Sequence, residues 1–276
     1  MISEDGPYET VLTAKVGFQP HFPGTIHDNA TAPLYGYRSA LVPGIYIYGY
    51  MANLAVHAWG MHWVEHGTMR ANSRRPVYDG DAVHIHASPI RRDGATQVVD
   101  FRATDADGNE LSVGQATLPG VPEAPPAISD FPEPRPIPAE LPPIDVDRIE
   151  VGQTFGTKCV PMTQELFDFT NSNFQQTWPY YFEHGIVHPS YGQQLCARNS
   201  MESYAYPTPG IHASGWGRHF AAARLGDEIT TRGRITRIYE KNGNHYYDDE
   251  HLVVANGDRV IALMGRSIIY RARSSR

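Results

Sequence analysis

The chain has 276 residues, 41% hydrophobic and 19% charged, so it is long enough for two modest domains with a real core. Its formal net charge of −7 argues against nucleic-acid binding, which needs a concentrated positive field. The nearest approach to a basic cluster, Arg70, Arg74 and Arg75, is expected in a solvated loop, with binding of a phosphate-bearing cofactor tail as the alternative. No metal-type cysteine spacing and no bilayer-length apolar run occurs, so we expect a soluble, cytoplasmic protein without a metal site.

The first half predicts a buried helix followed by a three-stranded antiparallel meander. Over residues 44–67, apolar residues recur at helical spacing and cover almost the whole circumference, which is typical of a helix wrapped by a sheet. Residues 75–118 then alternate apolar and polar side chains. Asp93-Gly94 and Asp107-Gly108 interrupt this alternation and suit type I′ turns, in which both central residues have positive φ.

A proline-rich stretch divides the chain near its middle. Residues 119–143 read PGVPEAPPAISDFPEPRPIPAELPP, a composition that supports neither a helix nor a central strand. We therefore predict an extended linker over residues 119–147. It separates an N-terminal domain, residues 1–118, from a C-terminal domain, residues 148–276.

The second half repeats the pattern of the first. A short helix is predicted from Thr163, a cap residue, to Thr170, and a longer one over residues 189–206. A second alternating region follows at 222–269. Its Asn242-Gly243 and Asn256-Gly257 pairs each lie the same number of positions after their first-half counterparts. A long helix followed by a meander, occurring twice, predicts an α+β fold made of two hot-dog domains.

The residues around the two long helices resemble the MaoC-like hydratase/dehydratase family, whose double members carry two hot-dog domains in one chain. Residues 25–51 contain a His-Asp, a Gly-aromatic pair and the Val-Pro-Gly that opens the helix, and residues 185–195 contain a Gly-x-x-His-Pro. The resemblance covers nearly the whole chain apart from the linker. It implies a double hot-dog whose halves pack as a pseudo-dimer. It also implies an acyl-thioester substrate carried by coenzyme A or a carrier protein, with no further cofactor.

The family's catalytic motif is only partly present. Hydratases of this family use an Asp and a His on one loop for acid/base addition of water to an enoyl thioester. With His27 as the motif histidine, the motif's aspartate position holds Phe22. In the second half, Asn173 and Trp178 occupy the aspartate and histidine positions. The pair is therefore incomplete in the first half and absent from the second.

The candidate catalytic residues are His27, whose side-chain type titrates near neutral pH, and Asp28 as its partner carboxylate. The alternative is that both residues only tie down their loop by capping backbone groups. At Gly44, the free amides of the helix start are expected to polarise a thioester carbonyl. The residues expected to bind substrate are Tyr35, Pro43, Gly44, Ile45, Asn173, Trp178 and His188.

These features favour an acyl-thioester hydratase or dehydratase. Two alternatives stay open, because one fold hosts many chemistries. One is a thioesterase or isomerase on the same scaffold, for which Glu65 offers a carboxylate. The other is a non-catalytic acyl-thioester binding subunit. The expected partner is a small-molecule thioester, with no nucleic acid or membrane, in a homo-oligomer or a pair with another hot-dog subunit.

Overall fold

The computed structural model describes residues 8–17, 22–207 and 209–273. The strands are β1 (Tyr8–Thr13), β2 (Thr68–Ser73), β3 (Ala82–Ala87), β4 (Arg91–Asp93), β5 (Thr96–Thr104), β6 (Glu110–Leu118), β7 (Val160–Pro161), β8 (Ile211–His219), β9 (Glu228–Lys241), β10 (Asn244–Ala255) and β11 (Arg259–Arg271). The helices are α1 (Gly44–Trp59), α2 (Met61–His66), α3 (Gln164–Asn173), α4 (Pro179–Glu183) and α5 (Tyr191–Ser203). Two short 3₁₀ turns span Ala32–Tyr35 and Ile128–Asp130.

All eleven strands belong to one antiparallel sheet. Its order is β1-β3-β5-β6-β2-β8-β11-β10-β9-β7, and β4 pairs with β5. Each half contributes a long helix, a strand and a three-stranded meander, and the strand order of the second half repeats that of the first in reverse. The halves join where β2 pairs with β8, with Ala71 opposite Gly215. The α+β double hot-dog fold expected from the sequence is confirmed.

The central helix α1 lies against both halves of the sheet. It contacts β2, β5 and β6 of its own half and β8 of the other. Eleven of its side-chain positions are buried, including Tyr46, Tyr48 and Tyr50, as the all-round apolar pattern predicted. The predicted single helix over 44–67 is wrong, because Gly60 breaks it with φ +60 and ψ −144 and starts the separate α2. No helix in the described part of the chain is long and apolar enough to span a membrane.

The second half has the predicted helices with shorter bounds. Its central helix α5 ends at Ser203 rather than at 206, because Tyr204 is extended, with φ −143 and ψ 146. The short helix α3 starts as predicted, with Thr163 Oγ1 accepting a hydrogen bond from the backbone N–H of Leu166 at 3.3 Å. It continues to Asn173, three residues beyond the predicted end.

The Asx-Gly turns differ between the halves. Asn242-Gly243 and Asn256-Gly257 have positive φ at both residues, as a type I′ turn requires. In the first half only the glycines, Gly94 and Gly108, have positive φ. Because Asp93 still pairs with Thr96 as the last residue of β4, the turn itself begins one residue later than the sequence predicted.

The proline-rich segment 119–147 packs on the second half of the sheet. It contains no strand, and Phe131 inserts among Leu252, Val254 and Val260. Leu252 and Val254 alternate along β10 with Val253, which faces α5, so the segment covers the opposite face of the sheet. Two ion pairs lie along it, Glu123 with Arg218 and Glu133 with Arg232, each at 3.1 Å.

Candidate functional site

A cavity of about 390 Å³ lies between the first-half loop that leads into α1 and the second-half elements α5, β8 and β11. It is therefore built from both hot-dog domains. Its walls are mostly apolar, and they include Leu41, Val42, Ile45, Ile47, Val77, Leu111, Leu166, Phe169, Leu195, Met201, Ile211 and Ile268. A space of this size and lining suits a small molecule with an apolar body.

The charged side chains in the described cavity wall are all basic. Four arginines line it: Arg74, Arg75, Arg198 and Arg266. The two lining histidines are His27 and His212, and no Asp or Glu is among the described residues that form the wall. The site therefore favours an anionic or hydrogen-bond-accepting ligand, and histidine is the wall side-chain type whose ordinary pKa lies nearest neutral pH.

The start of α1 opens into this cavity. Pro43, Gly44 and Ile45 all line it, as expected from the sequence. A Cβ on Gly44 would lie 3.0 Å from Nδ1 of His212 and 3.3 Å from Oγ of Ser73, so glycine lets these two side chains lie against the backbone. The first amides of a helix have no intrahelical acceptor, and the helix dipole adds to their partial positive charge. This position can therefore polarise a carbonyl group.

His27 lines the cavity beside the chain that leads into α1. Its Nδ1 lies 2.7 Å from the carbonyl oxygen of Leu41. Because a carbonyl oxygen can only accept, Nδ1 carries the hydrogen, and Nε2 is the basic nitrogen of the neutral ring. The ring of Phe22, at the motif's aspartate position, lies 4.7 Å from the imidazole centroid.

Asp28 does not line the cavity. Its Oδ1 accepts from the backbone N–H of Ala30 at 3.1 Å, and its Oδ2 accepts from Thr31 Oγ1 at 2.8 Å and from the backbone N–H of Gly24 at 3.2 Å. The hydrogen bonds from Ala30, Thr31 and Gly24 lower the pKa of Asp28. This geometry is that of a carboxylate that holds its own loop, and the partner role expected from the sequence has no support from the contacts of Asp28.

His212, on β8, is the second cavity histidine. Its two ring nitrogens are shielded from solvent and have no hydrogen-bond partner within the described ranges. Burial, reinforced by the nearby positive charge of Arg266, lowers the pKa of His212 to about 3. The imidazole is therefore neutral at pH 7 and can offer one donor and one acceptor to a ligand.

Arg266, on β11, is a buried cation in the cavity wall. Only 2% of the residue is exposed, and its guanidinium forms an ion pair with the fully buried Asp249. Its Nε lies 3.2 Å from Asp249 Oδ1, and its Nη2 donates to Asp249 Oδ2 and to Ser200 Oγ. Burial alone would raise the pKa of Asp249, but Arg266 and His251 lower it to about 2.

Behind this wall, Cys196, His251 and Asp249 form a grouping that resembles a thiol nucleophile with its base. His251 Nε2 lies 3.3 Å from Asp249 Oδ2. Burial would lower the pKa of His251, but Cys196 and Asp249 raise it to about 9. Neither Cys196 nor His251 has any exposed surface, and neither lines the cavity. The grouping is therefore sealed from substrate in this conformation.

The equivalent position in the second half, at the start of α5, is filled by side chains. His188 is 1% exposed, its Nε2 lies 2.9 Å from Asn53 Oδ1, and its ring stacks on Phe174 at 4.4 Å. Burial, with a smaller contribution from His219, lowers the pKa of His188 to about 3. A separate space of about 10 Å³ lies between His188 and the core beneath α5, and it is too small for more than one water molecule.

The other residues expected to bind substrate lie outside the cavity. Tyr35 is 51% exposed at the end of its 3₁₀ turn. Asn173 packs against Gly17, and Trp178 packs against Gly60 and stacks on Tyr180. Trp178 lies beside Tyr181, whose ring contacts His188 at the filled position. Glu65, the carboxylate considered for other chemistries, is on α2 and does not line the cavity either.

The cavity residues that sequence reasoning did not assign come from strands of both halves. Ser73 is the last residue of β2, and Arg266 lies on β11 between the inward-facing Met264 and Ile268. A charged residue at an inward position of an alternating strand is a detectable signal, because such residues are buried only with a partner. In the described residues, no group of three or more His, Cys, Asp and Glu side chains is arranged to hold a metal ion.

Comparison with known proteins extends this description at the level of the fold. No family model matches the sequence, and no curated protein matches it. Solved structures do match over nearly the whole chain. A protein named as a MaoC-domain dehydratase from Chloroflexus aurantiacus aligns with a TM-score of 0.67 and 14% identity, covering 97% of this chain and 95% of that one.

Two further structures belong to the same fold. A conserved hypothetical protein from Mycobacterium tuberculosis with a double hot-dog fold aligns with a TM-score of 0.62 and 14% identity over 95% of each chain. An acyl-ACP thioesterase from Bacteroides thetaiotaomicron aligns with a TM-score of 0.51 and 14% identity, covering 95% of this chain and 97% of that one. The resemblance to double hot-dog proteins of the MaoC-like kind, expected from the sequence, is therefore confirmed at the level of the fold.

Proposed function

We propose that this protein is an acyl-thioester hydratase or dehydratase that binds its substrate in the cavity between the two hot-dog domains. The observation that carries the proposal is the start of α1. There Gly44 brings the helix amides and His212 to one point of a mostly apolar cavity that His27 also lines. This arrangement suits a thioester whose carbonyl oxygen accepts from the helix amides. The MaoC-like dehydratase names among similar structures agree with this reaction class.

His27 is the proposed acid and base. As the water oxygen bonds to C3 of the enoyl group, Nε2 of His27 takes one water proton, and the electron pair of the double bond moves towards the carbonyl oxygen. The imidazolium then returns the proton to C2, so that the elements of water are added overall. Dehydration is the same sequence in reverse. The neutral His212 is proposed to donate a hydrogen bond to the carbonyl oxygen beside the amide of Gly44.

The proposed carrier of the acyl group is coenzyme A or an acyl-carrier protein. Both present a thioester on a long arm that ends in phosphate. Arg74 and Arg75 are exposed, line the cavity and lie on the segment that follows β2. Guanidinium groups in this position suit phosphate oxygens. Arg70 does not line the cavity, and its Nη2 lies 3.3 Å from Gln115 Oε1.

The test is direct. Purified protein is incubated with enoyl- and 3-hydroxyacyl-CoA thioesters of several chain lengths, and the products are examined by mass spectrometry. We expect gain or loss of the mass of water. Release of free CoA without that change would instead identify a thioesterase, and no reaction with any thioester would contradict catalysis.

The second candidate is a non-catalytic acyl-thioester binding subunit. It is favoured by the absence of Asp and Glu from the described cavity wall, since the family's pair of Asp and His is not assembled there. For this candidate, a thioester raises the melting temperature without being turned over. A rise in melting temperature that is accompanied by turnover of the thioester would exclude this candidate.

A further inference from the structure

Arg266 is an interior cation that the proposed water chemistry does not use. It is 2% exposed, yet it contributes to the wall of a cavity whose other surfaces are mostly apolar. It is close enough to His212 for its charge to contribute to the lowered pKa of that imidazole, and His212 in turn lies against Gly44. The guanidinium is therefore deep in the cavity, near the proposed carbonyl site. Arg74 and Arg75, by contrast, are exposed.

The hydrogen-bonding capacity of Arg266 is only partly used. A guanidinium has five N–H donors in a fixed fork. Nε and Nη2 donate to Asp249 and Ser200, whereas Nη1 has no acceptor among the residues that the structure describes. In the same cavity, both ring nitrogens of His212 also have no partner in the described ranges. A buried polar side chain without a partner costs free energy, so the unpaired ring nitrogens of His212, beside a guanidinium with unused donors in the cavity wall, indicate a polar ligand group.

The charge around this group favours an anion over a neutral acceptor. Asp249 is the one carboxylate paired with Arg266, and it lies behind the wall. No acidic side chain among the described wall residues repels a carboxylate.

Stability alone does not account for such a pair. Replacing a buried ion pair by apolar residues of similar volume is often neutral or stabilising. A guanidinium that holds one carboxylate through two nitrogens can still present its remaining donors to a second acceptor.

We propose that the acyl group taken by this protein carries a free carboxylate, which Arg266 binds inside the cavity. The proposal rests on the proposed function, because it names the class of acyl thioester: a dicarboxylic acid joined to its carrier through one end only. Arg266 is then a residue that selects the substrate.

The experiment compares saturated CoA thioesters, which cannot be hydrated, so that affinity is measured without turnover. Titration calorimetry on the full chain compares glutaryl-CoA with pentanoyl-CoA and adipyl-CoA with hexanoyl-CoA. Each pair has the same number of carbons and differs in the terminal carboxylate. We expect the carboxylated member of at least one pair to bind about 10- to 100-fold more tightly, as charge-assisted hydrogen bonds to a desolvated group contribute. Equal or weaker binding in both pairs would overturn the inference and leave the proposed function standing. Binding of none of the four would overturn both.

Substitution assigns the preference to Arg266. The double variant Asp249→Asn/Arg266→Gln removes both charges and keeps polar groups at both positions. In this variant, the ratio of the affinity for the carboxylated thioester to the affinity for its uncharged counterpart should fall to about 1, because the charged contact is lost. The matched control is Arg91→Gln/Asp100→Asn, an exposed pair at 3.3 Å outside the cavity, which should keep the wild-type ratio. An unchanged ratio in the first variant would overturn the assignment. If that variant does not fold, Arg266→Lys serves, because it keeps the buried charge but loses the fork. It should lower the ratio while binding of the uncharged thioester persists.

Discussion

Substitution of Gly44 is expected to lower turnover without lowering the melting temperature. In Gly44→Ala the new methyl group would lie 3.0 Å from His212 Nδ1 and 3.3 Å from Ser73 Oγ. Alanine is the better helix former, so the melting temperature should not fall. The displaced imidazole and the narrowed approach to the helix amides should lower turnover by about 10²-fold. Thermal melts and steady-state kinetics measure the two effects, and parallel losses in both would contradict the prediction.

His27 is expected to matter for proton transfer more than for folding. In His27→Gln the side-chain amide can still donate to the carbonyl oxygen of Leu41, which His27 Nδ1 contacts at 2.7 Å, but it cannot exchange a proton. Turnover should fall by about 10²–10⁴-fold with a nearly unchanged melting temperature. The control is His86→Gln, at an exposed histidine paired with Glu9, which should change neither. Equal losses of stability and activity at position 27 would identify a structural histidine.

Because of Asp249, the free energy of unfolding should depend on pH in the acid range. Its pKa is about 2 in the folded protein and 3.8 without the surrounding structure, so the carboxylate stabilises the fold above pH 4 and loses this contribution as the pH falls towards 2. Between pH 5 and pH 3 the loss from this residue should be about 1 kcal/mol. Urea unfolding at the two pH values measures it. Asp249→Asn/Arg266→Gln should have a smaller loss, and an equal loss would refute the assignment.

At the scale of single residues, the sequence predicted only part of the cavity wall. His27, Pro43, Gly44 and Ile45 follow one another in a short stretch that leads into α1, so local order along the chain was enough to group them. His212 and Arg266 reach the same cavity from β8 and β11, and this depends on how the two halves pair. Sequence spacing carries no information on that pairing. The proton-transfer role of His27 stays a prediction.

At the scale of elements, α1 packs closely against the ring of Phe174 at Gly49. A Cβ on Gly49 would lie 2.2 Å from Cδ1 of the Phe174 ring, so Gly49→Ala should cost about 1–3 kcal/mol through overpacking. Phe174→Ala should cost about 3–5 kcal/mol through the space it leaves. In the double variant the new methyl group enters that space, so its cost should be well below the sum. Urea unfolding of the four proteins gives the coupling energy, and additivity within about 0.5 kcal/mol would contradict direct contact.

The elements themselves were largely predictable. Hydrophobic periodicity identified the first central helix, and its counterpart was assigned from the repeat. The repeated Asx-Gly pairs identified both meanders, because such turn signals are local. The break at Gly60 was not predicted, since one glycine inside an apolar helical pattern is usually tolerated. Nor was the shift of the turn at Gly94, because strand register is decided by the partner strand.

At the scale of the molecule, we expect one thioester to bind per chain. The cavity beside α1 has about 390 Å³, whereas the equivalent position at the start of α5 is occupied by His188 and the ring of Phe174. Titration calorimetry with the tightest-binding CoA thioester should therefore give a stoichiometry of one. Two equal sites would contradict the filling of the second position by the ring of Phe174.

The proline density of residues 119–143 and the repeat on either side of it predicted the division of the chain into two halves. The packing of Phe131 onto the outer face of the second half was not predicted, because a proline-rich composition describes backbone conformation and not what a segment covers.

The two halves of the chain are joined by the antiparallel pairing of β2 with β8. Two identical subunits paired across such a joint would present the same loop to both of their sites, so any residue that blocked one site would block the other. A single chain with two different halves is free of this constraint. The loop of one half can fill its own site with side chains, and the loop of the other half can leave its site open to a ligand. Both halves still belong to the same sheet.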